Sequence, residues 1–297
     1  LPKLVKAGHR EAVCDQLEAP VKGKKIVKRG VVELVTPGVV LTDQILESKG
    51  NNFLAALSFY EDKAGVAFLD ISTGEFYVAE GDLKYISKLI HDYSPSEILY
   101  ARINDSLFQD NFKTKAYTFR LDDWVFQKDF ALEKLKQQFG TQSLKGFGIS
   151  NMNSSIISAG AILHYLTSAE HHNTSHVSSI QRIDRDNHVW MDDFTISNLE
   201  LINSANYNGH TLVEVLDQTS TAMGGRLLKK WLLFPLISSK KINARLDMVA
   251  YLIKDSKIHD FIKIQFSEIG DLERMCSRLA VLKTNPRELN QLKKSLQ

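Results

Sequence analysis

Residues 65–79 run Gly-Val-Ala-Phe-Leu-Asp-Ile-Ser-Thr-Gly-Glu-Phe-Tyr-Val-Ala. Gly65–Ile71 is almost continuously apolar, the composition of a strand buried on both faces; a strand with one wetted face would alternate. Thr73-Gly74 supplies a turn, and Glu75–Ala79 returns as the second arm of a β-hairpin. Asn52–Tyr60 and, after Pro95, Glu97–Ala101 are further strands, with a helix at Leu83–His91 between them. Upstream, Leu1–Leu17 has the pattern of a helix end followed by a strand at Glu11–Gln16. Val31–Thr36 is a β-branched apolar run stopped by Pro37-Gly38. Downstream, Leu132, Leu135 and Phe139 fall at i, i+3 and i+7, which predicts an amphipathic helix over Asp129–Phe139 ended by Gly140. The first half is therefore α/β with a mixed sheet.

After about residue 150 the period becomes helical. Asn153 or Ser154 is expected to cap a helix buried through Ile156, Ala159, Leu163 and Leu166. His171–Ser179 is polar and interrupts the pattern, and a domain boundary is placed there. Ser239 is expected to cap a helix with Ile242, Leu246, Val249 and Ile253 on one face. Leu272, Met275, Cys276 and Leu279 form another apolar stripe. Asn285-Pro286 with Glu288 has the form of a capping box with proline at the first helical position, and Leu289, Leu292 and Leu296 follow on one face. The second half is mainly α.

The bulk composition narrows the functional classes. With 297 residues, two domains are the reasonable expectation. A 43% hydrophobic and 24% charged chain with net charge +2 is an ordinary globular composition and not a polybasic nucleic-acid binder. Cys14 and Cys276 stand far apart with no CxxC, so neither a disulfide framework nor a zinc site is expected, and a reducing compartment fits. The densest apolar run, Trp231–Ile237, is short and broken by Pro235, far from a membrane span. No signal peptide is expected. Leu1 in place of an initiator Met leads to the expectation that the chain is cut from a longer one.

Several residues invite a chemical reading. Asp70, at the end of a buried strand beside a hairpin, is where a metal-dependent nuclease places a ligand, but such a site needs three or four converging carboxylates. Glu75, Asp82 and Glu97 are nearby without a clear second motif, and a carboxylate hydrogen-bonding the backbone of the Ser72–Gly74 turn is the plainer expectation. His171, His172 and His176 lie in a Ser/Thr/Asn-rich stretch and are expected to be a solvated loop, since no metal geometry is evident. Lys22, Lys24, Lys25, Lys28 and Arg29 form a basic loop over Val21–Gly30 that is able to touch phosphate but lacks aromatics for base stacking. Met223–Pro235 (Met-Gly-Gly-Arg-Leu-Leu-Lys-Lys-Trp-Leu-Leu-Phe-Pro) has a double glycine that breaks the chain or permits close approach. It then enters a helix facing Leu227, Trp231 and Phe234 to a core and stopped by Pro235. The chain contains no GxxxxGK[ST], GxSxG or HExxH. No catalytic, cofactor or metal residue is therefore assigned.

Taken in order, these runs resemble one family. Val13–Gln16, the basic loop and Leu34-Val35-Thr36-Pro37-Gly38 look like the exit from the mismatch-binding domain of bacterial MutS-type DNA mismatch-repair proteins. Asn52–Ala56, Leu69-Asp70-Ile71-Ser72-Thr73-Gly74, Phe139-Gly140 and Gly146-Phe147-Gly148 are similar to the connector of that family. Asp217–Thr221, Met223-Gly224, Arg226-Leu227, Trp231–Leu236, Gly270-Asp271-Leu272-Glu273-Arg274 and Arg278-Leu279 resemble its core-domain signature.

The resemblance implies the end of a mismatch-binding domain over 1–36, a ribonuclease H-like connector over 37–172, and the first part of an α-helical core leading into lever helices over 173–297. It implies a cytoplasmic protein, acting in full-length form as a homodimer on mismatched double-stranded DNA. The ATPase domain, with ATP and magnesium, lies outside this sequence, so this segment is expected not to be an enzyme. The Phe-x-Glu mismatch reader belongs upstream; Phe59-Tyr60-Glu61 and Phe266-Ser267-Glu268 match its letters in the wrong domains. The implied role is to relay between the DNA-binding and ATPase domains and to contact a MutL-type partner. The polar face of Asp129–Phe139, with Glu133, Lys136 and Gln137, is the candidate surface for that partner. The rival readings are a metal-dependent nuclease of ribonuclease H-like fold centred on Asp70 and a structural DNA binder using Lys22–Arg29.

Overall fold

The computed structural model describes residues 1–18, 27–204, 206 and 209–297. They form two compact units, the first built from Leu1–Leu46 and Asn52–Arg182, the second from Glu47–Asn51 and Ile183–Gln297. Lys22, Lys24 and Lys25 of the basic loop lie outside the described residues.

The first unit opens with α1 (Pro2–Lys6) and an antiparallel pair, β1 (Glu11–Gln16) and β2 (Arg29–Val35). Its main sheet contains β3 (Leu54–Tyr60), β4 (Lys63–Asp70), β5 (Glu75–Gly81), β6 (Glu97–Ala101), β7 (Tyr117–Leu121) and the short β8 (Gln181–Arg182), in the order β7-β6-β3-β4-β5-β8. The mixed character is realised: β3, β4 and β5 are antiparallel neighbours, while β6 runs parallel to β3, β7 to β6 and β8 to β5. From Ala64 to Asp70, β4 is buried at every position, as its unbroken apolar run requires. Four helices accompany the sheet: α2 (Leu83–Tyr93), α3 (Asp105–Asn111), α4 (Lys128–Phe139) and α5 (Asn153–Ser168). Asp82 caps α2 by accepting from Tyr85 N at 2.7 Å, and Gly140 ends α4 in the left-handed region at φ 58°, where the absence of a Cβ removes the steric cost.

The helix α5 is buried around nearly its whole circumference, because it crosses the sheet at unusually short range. A Cβ on Gly65 would lie 2.2 Å from the Ser154 carbonyl carbon, and one on Gly160 would lie 2.5 Å from Ala131 Cα of α4. Ser58 Oγ donates to Ser154 O at 2.5 Å and Ser158 Oγ to Gly65 O at 3.0 Å, which satisfies the polar groups trapped in that contact. The start of α5 departs from expectation. Met152 is the N-cap and makes no side-chain bond. The Glu80 carboxylate on β5 instead accepts from Ser154 N at 2.8 Å, so a neighbouring strand supplies the cap.

Among the described residues, the second unit is helical: α6 (Asp193–Asn198), α7 (Leu212–Leu216), α8 (Ala222–Leu233), α9 (Ser239–Lys254), α10 (Ser256–Glu268), α11 (Leu272–Ala280) and α12 (Pro286–Leu296). The Asn285–Glu288 capping box forms as read, with Asn285 Oδ1 accepting from Glu288 N at 2.9 Å and Glu288 Oε2 from Asn285 N at 3.1 Å. The double glycine does not break the chain; both glycines lie inside α8, which Thr221 caps by accepting from Gly224 N at 3.0 Å.

The expectation that Leu227, Trp231 and Phe234 face a core is corrected, and the other apolar stripes of this unit are buried only in part. On α9 the helix exists, but Ile242, Leu246, Val249 and Ile253 are exposed, and its N-cap is Ser238 without a side-chain bond. Leu227 and Trp231 of α8 face outward, Phe234 is half-buried, and the Arg245 guanidinium lies 3.5 Å from the centre of the Trp231 ring. On α11 Cys276 and Leu279 are exposed and Leu272 is only half-buried, whereas Arg274, Met275, Ser277 and Arg278 are buried. On α12 only Leu292 of the expected trio is buried. The buried surface of α8 and α11 thus carries charge, and the reason lies in what those arginines hold.

Candidate functional site: two buried joints in the chain

The residues read as candidate chemistry do not converge. Asp70 is fully buried and its carboxylate is occupied by protein donors. Oδ1 accepts from Ser72 N at 2.9 Å and Ser72 Oγ at 2.7 Å, and Oδ2 accepts from Asn52 N at 3.1 Å. Gly74 N closes the same turn on Asp70 O at 2.8 Å. This is the turn-stapling role, and Asp70 carries no nuclease reading. Asp82 caps α2, and Glu75 accepts from Tyr77 OH at 2.5 Å.

Two of the three histidines, His171 and His176, are not solvated. His171 is buried with Nε2 3.3 Å from Leu34 O, and His176 has Nε2 2.8 Å from Ile71 O. Burial lowers the pKa of His176 and outweighs the bond to Ile71 and the charge of Asp70. Of the three, His172 alone is exposed, beside Glu170 at 2.8 Å.

Glu97 forms the first joint. It is buried at the start of β6. Its Oε2 accepts from Thr36 Oγ1 at 2.5 Å and from Gly38 N at 3.0 Å, and its Oε1 accepts from Tyr165 OH at 2.5 Å. One carboxylate therefore ties the Thr36-Pro37-Gly38 turn to β6 and α5. Burial, followed by the negative charge of Glu97, pushes the Tyr165 hydroxyl well above its ordinary pKa, so that it stays a donor. Gly38 is needed for the approach, since a Cβ there would lie 2.7 Å from Glu97 Cβ.

The second joint holds residues 47–51, a strap that belongs to the helical unit although its flanks belong to the first. Arg226 of α8 donates bidentately to Asp271, Nη1 to Oδ2 and Nη2 to Oδ1, both at 2.7 Å. Nη2 also donates to Glu273 Oε2 at 2.6 Å and Nη1 to Ser48 O at 3.0 Å. Two residues along the strap, Gly50 O accepts from Arg274 Nη2 at 2.6 Å. Between them, Lys49 Nζ donates to Asp217 Oδ1 at 2.9 Å and Thr219 O at 3.1 Å.

The charges at this joint are stabilised by one another. Burial works against the Arg226 charge, but the bonds from Asp271 and Glu273 outweigh it and leave its pKa above arginine's ordinary value. Burial likewise pushes Asp271 up, and Arg226 brings it below the usual carboxylate range. At Asp217 the bonds from Thr219 and Lys49 overcome burial and bring the carboxyl down to about 2.

The predicted partner face is present as a surface. Glu133, Lys136 and Gln137 are all exposed on α4, whose inner side buries Ala131 and Leu135. The adjacent Gln138, which the sequence did not single out, turns inward. Its Nε2 donates to Thr174 O and Val177 O, both at 2.9 Å, and its Oε1 accepts from Thr174 Oγ1 at 2.8 Å.

Three family models cover the chain in sequence order: MutS domain I over residues 1–44, MutS domain II over 52–178 and MutS domain III over 194–297. The chain belongs to the MutS family. It is 50% identical over 297 residues to the DNA mismatch repair protein MutS of Phocaeicola vulgatus, which it matches along 100% of its own length and 34% of the relative's. The protein of the same name from Flavobacterium johnsoniae is 51% identical and that from Christiangramia forsetii 52%, each over 296 residues, with the same coverage of 100% and 34%. The chain thus spans about a third of the length of the curated MutS relatives it matches.

Set against these MutS matches, the two joints bracket one passage. Thr36–Gly38 lies inside the domain I match and Glu97 and Tyr165 inside the domain II match. The strap falls between those two matches, and Asp217, Arg226, Asp271, Glu273 and Arg274, which hold it, all lie within the MutS domain III match. No helix among the described residues is long and apolar enough to cross a membrane.

Proposed function

We propose that this chain serves DNA mismatch repair as the connecting segment of a MutS-type protein, relaying between its DNA-binding and ATPase domains. The observation that carries the reading is the strap. The linker between the domain I and domain II matches is gripped by buried charged groups of the domain III match, so displacement of that linker is transmitted to α8 and α11. Such a relay requires packed elements with more than one arrangement.

In this reading residues 1–36 end the mismatch-binding domain, 37–172 are a connector of ribonuclease H-like fold and 173–297 begin the core. Three antiparallel strands followed by two parallel ones, with β3 at the centre, support the ribonuclease H-like assignment. Asp70, occupied by turn donors, supports a connector without catalysis. ATP with magnesium belongs to the ATPase domain of the full-length, homodimeric, cytoplasmic form, and mismatched duplex is the substrate of that whole protein. The partner of the connector is a MutL-type protein, met through Glu133, Lys136 and Gln137 of α4.

A pull-down of this chain with a MutL-type protein, run beside a titration with mismatched and perfect duplex, tests the reading. Partner binding with weak, mismatch-blind DNA affinity is the expected result. Strong mismatch preference in the absence of the partner overturns it.

A further inference from the structure

Gly225 presents a problem that helix physics alone does not solve. It is buried inside α8, a place where helix propensity favours alanine over glycine. A Cβ built on it would lie 2.7 Å from both Cδ and Cγ of Lys49 and 2.8 Å from Lys49 Cβ. Those atoms belong to the root and middle of the lysine side chain, which cannot swing aside while Nζ stays on Asp217 and Thr219 O. The neighbouring Gly224 differs, since the atoms nearest its Cβ would be Thr221 Oγ1 at 3.0 Å and Thr219 Cβ at 3.4 Å.

The strap is thus held in two chemically different ways. Arg226 and Arg274 bind the carbonyls of Ser48 and Gly50, which any sequence offers. At position 49 the contact depends on the side chain: a slot floored by Gly225 and an acceptor pair at its end that takes a primary ammonium. A shorter side chain fails to reach Asp217. A branched one fails to enter the slot.

We propose that Gly225 and Lys49 are a matched pair, the glycine slot being the element by which the helical unit recognises its own linker and seats it. This deepens the relay reading, and the relay rests on the strap being seated. It makes Lys49 and Gly225 positioning residues that determine which linker sequence the unit accepts.

The test uses the 297-residue chain with Gly225→Ala, Lys49→Met and the double variant, read by amide hydrogen exchange over residues 47–51. Digestion by trypsin at the Lys49–Gly50 bond is the second readout in variants that keep the lysine. Gly225→Ala is expected to raise strap exchange about tenfold and to open the bond to trypsin, while α8 itself stays protected. Lys49→Met is expected to raise exchange to a similar degree, and the double variant no further than Gly225→Ala alone, because both remove one interaction. Strap protection in Gly225→Ala equal to the unmodified chain overturns the pairing, as does an additive loss in the double variant. Lys49→Met leaves the helix untouched and so decides the matter if the alanine disturbs folding. All these readouts are on the strap, so the pairing stands or falls separately from the relay, which is read by nucleotide turnover.

Discussion

Replacing Arg226 by Met is the sharpest perturbation of the helical unit. The side chain is only 4% exposed, against 18% for its bidentate partner Asp271 and 43% for Glu273. Removing one member of a buried pair costs about 3–5 kcal/mol, because the other charge is left without compensation. Glu273 recovers hydration at its exposed end, and Asp271 keeps Arg274 nearby, with Nε at 3.8 Å. The lower end, about 3 kcal/mol, is therefore expected. For a unit of this size that is a fall in melting temperature of roughly 10–15 °C. Arg226→Lys keeps the charge but loses the planar fork that serves Asp271 and Ser48 O together, and about half that effect is expected. The assay is thermal unfolding followed by fluorescence of Trp190 and Trp231, with Trp124 reporting the first unit. A melting temperature within about 2 °C of the unmodified chain for Arg226→Met would mean that the buried charges are not mutually compensated.

Further outcomes follow from the same geometry. Glu97→Ala leaves the Thr36 and Tyr165 hydroxyls and the Gly38 amide without their acceptor, at a cost of about 4 kcal/mol to the first unit, and Glu97→Gln costs about half as much; urea unfolding with exchange at residues 34–40 reads both. Asp217 has its folded pKa depressed to about 2, so its contribution is complete above the ordinary carboxyl pKa and is lost as pH falls from about 4 to about 2. Asp217→Asn is expected to flatten that part of the acid titration, followed by Trp231 fluorescence, and an unchanged profile contradicts the assignment. Reversing the charges at Glu133 and Lys136 is expected to abolish capture by a MutL-type protein at unchanged melting temperature, and persistent capture removes α4 as the partner surface.

How much of this the sequence disclosed depended on the range of the interaction. The β4–β5 hairpin was legible because its signal is local: an apolar run, a Thr-Gly turn and a returning strand. The ends of α4 and the Asn285 capping box were legible for the same reason. In the second unit α8, α9, α11 and α12 are legible from their caps and apolar stripes, α6, α7 and α10 are not singled out by them, and the stripes do not mark the faces that are buried. Periodicity ranks leucine and cysteine as inward and arginine as outward, but α11 buries Arg274 and Arg278. What turns them inward lies far away in sequence: Arg274 meets Gly50, 224 residues distant, and Arg226 meets Asp271, 45 residues distant. No local pattern encodes such partners. Glu97 invites a nuclease reading because its donors, Thr36 and Tyr165, are likewise remote in sequence. His171 and His176 look solvated because they sit among polar residues, and their anchors, Leu34 O and Ile71 O, are backbone atoms that composition does not reveal.

In the proposed relay a seated strap transmits displacement between the DNA-binding and ATPase ends. Its most direct test is ATP turnover by a protein of the relatives' full length carrying Arg226→Lys, measured with mismatched and perfect duplex, with strap exchange followed in parallel. Duplex affinity and basal turnover are expected to persist while the response of turnover to a mismatch is lost as the strap loosens. An undiminished mismatch response with a demonstrably loosened strap would contradict it.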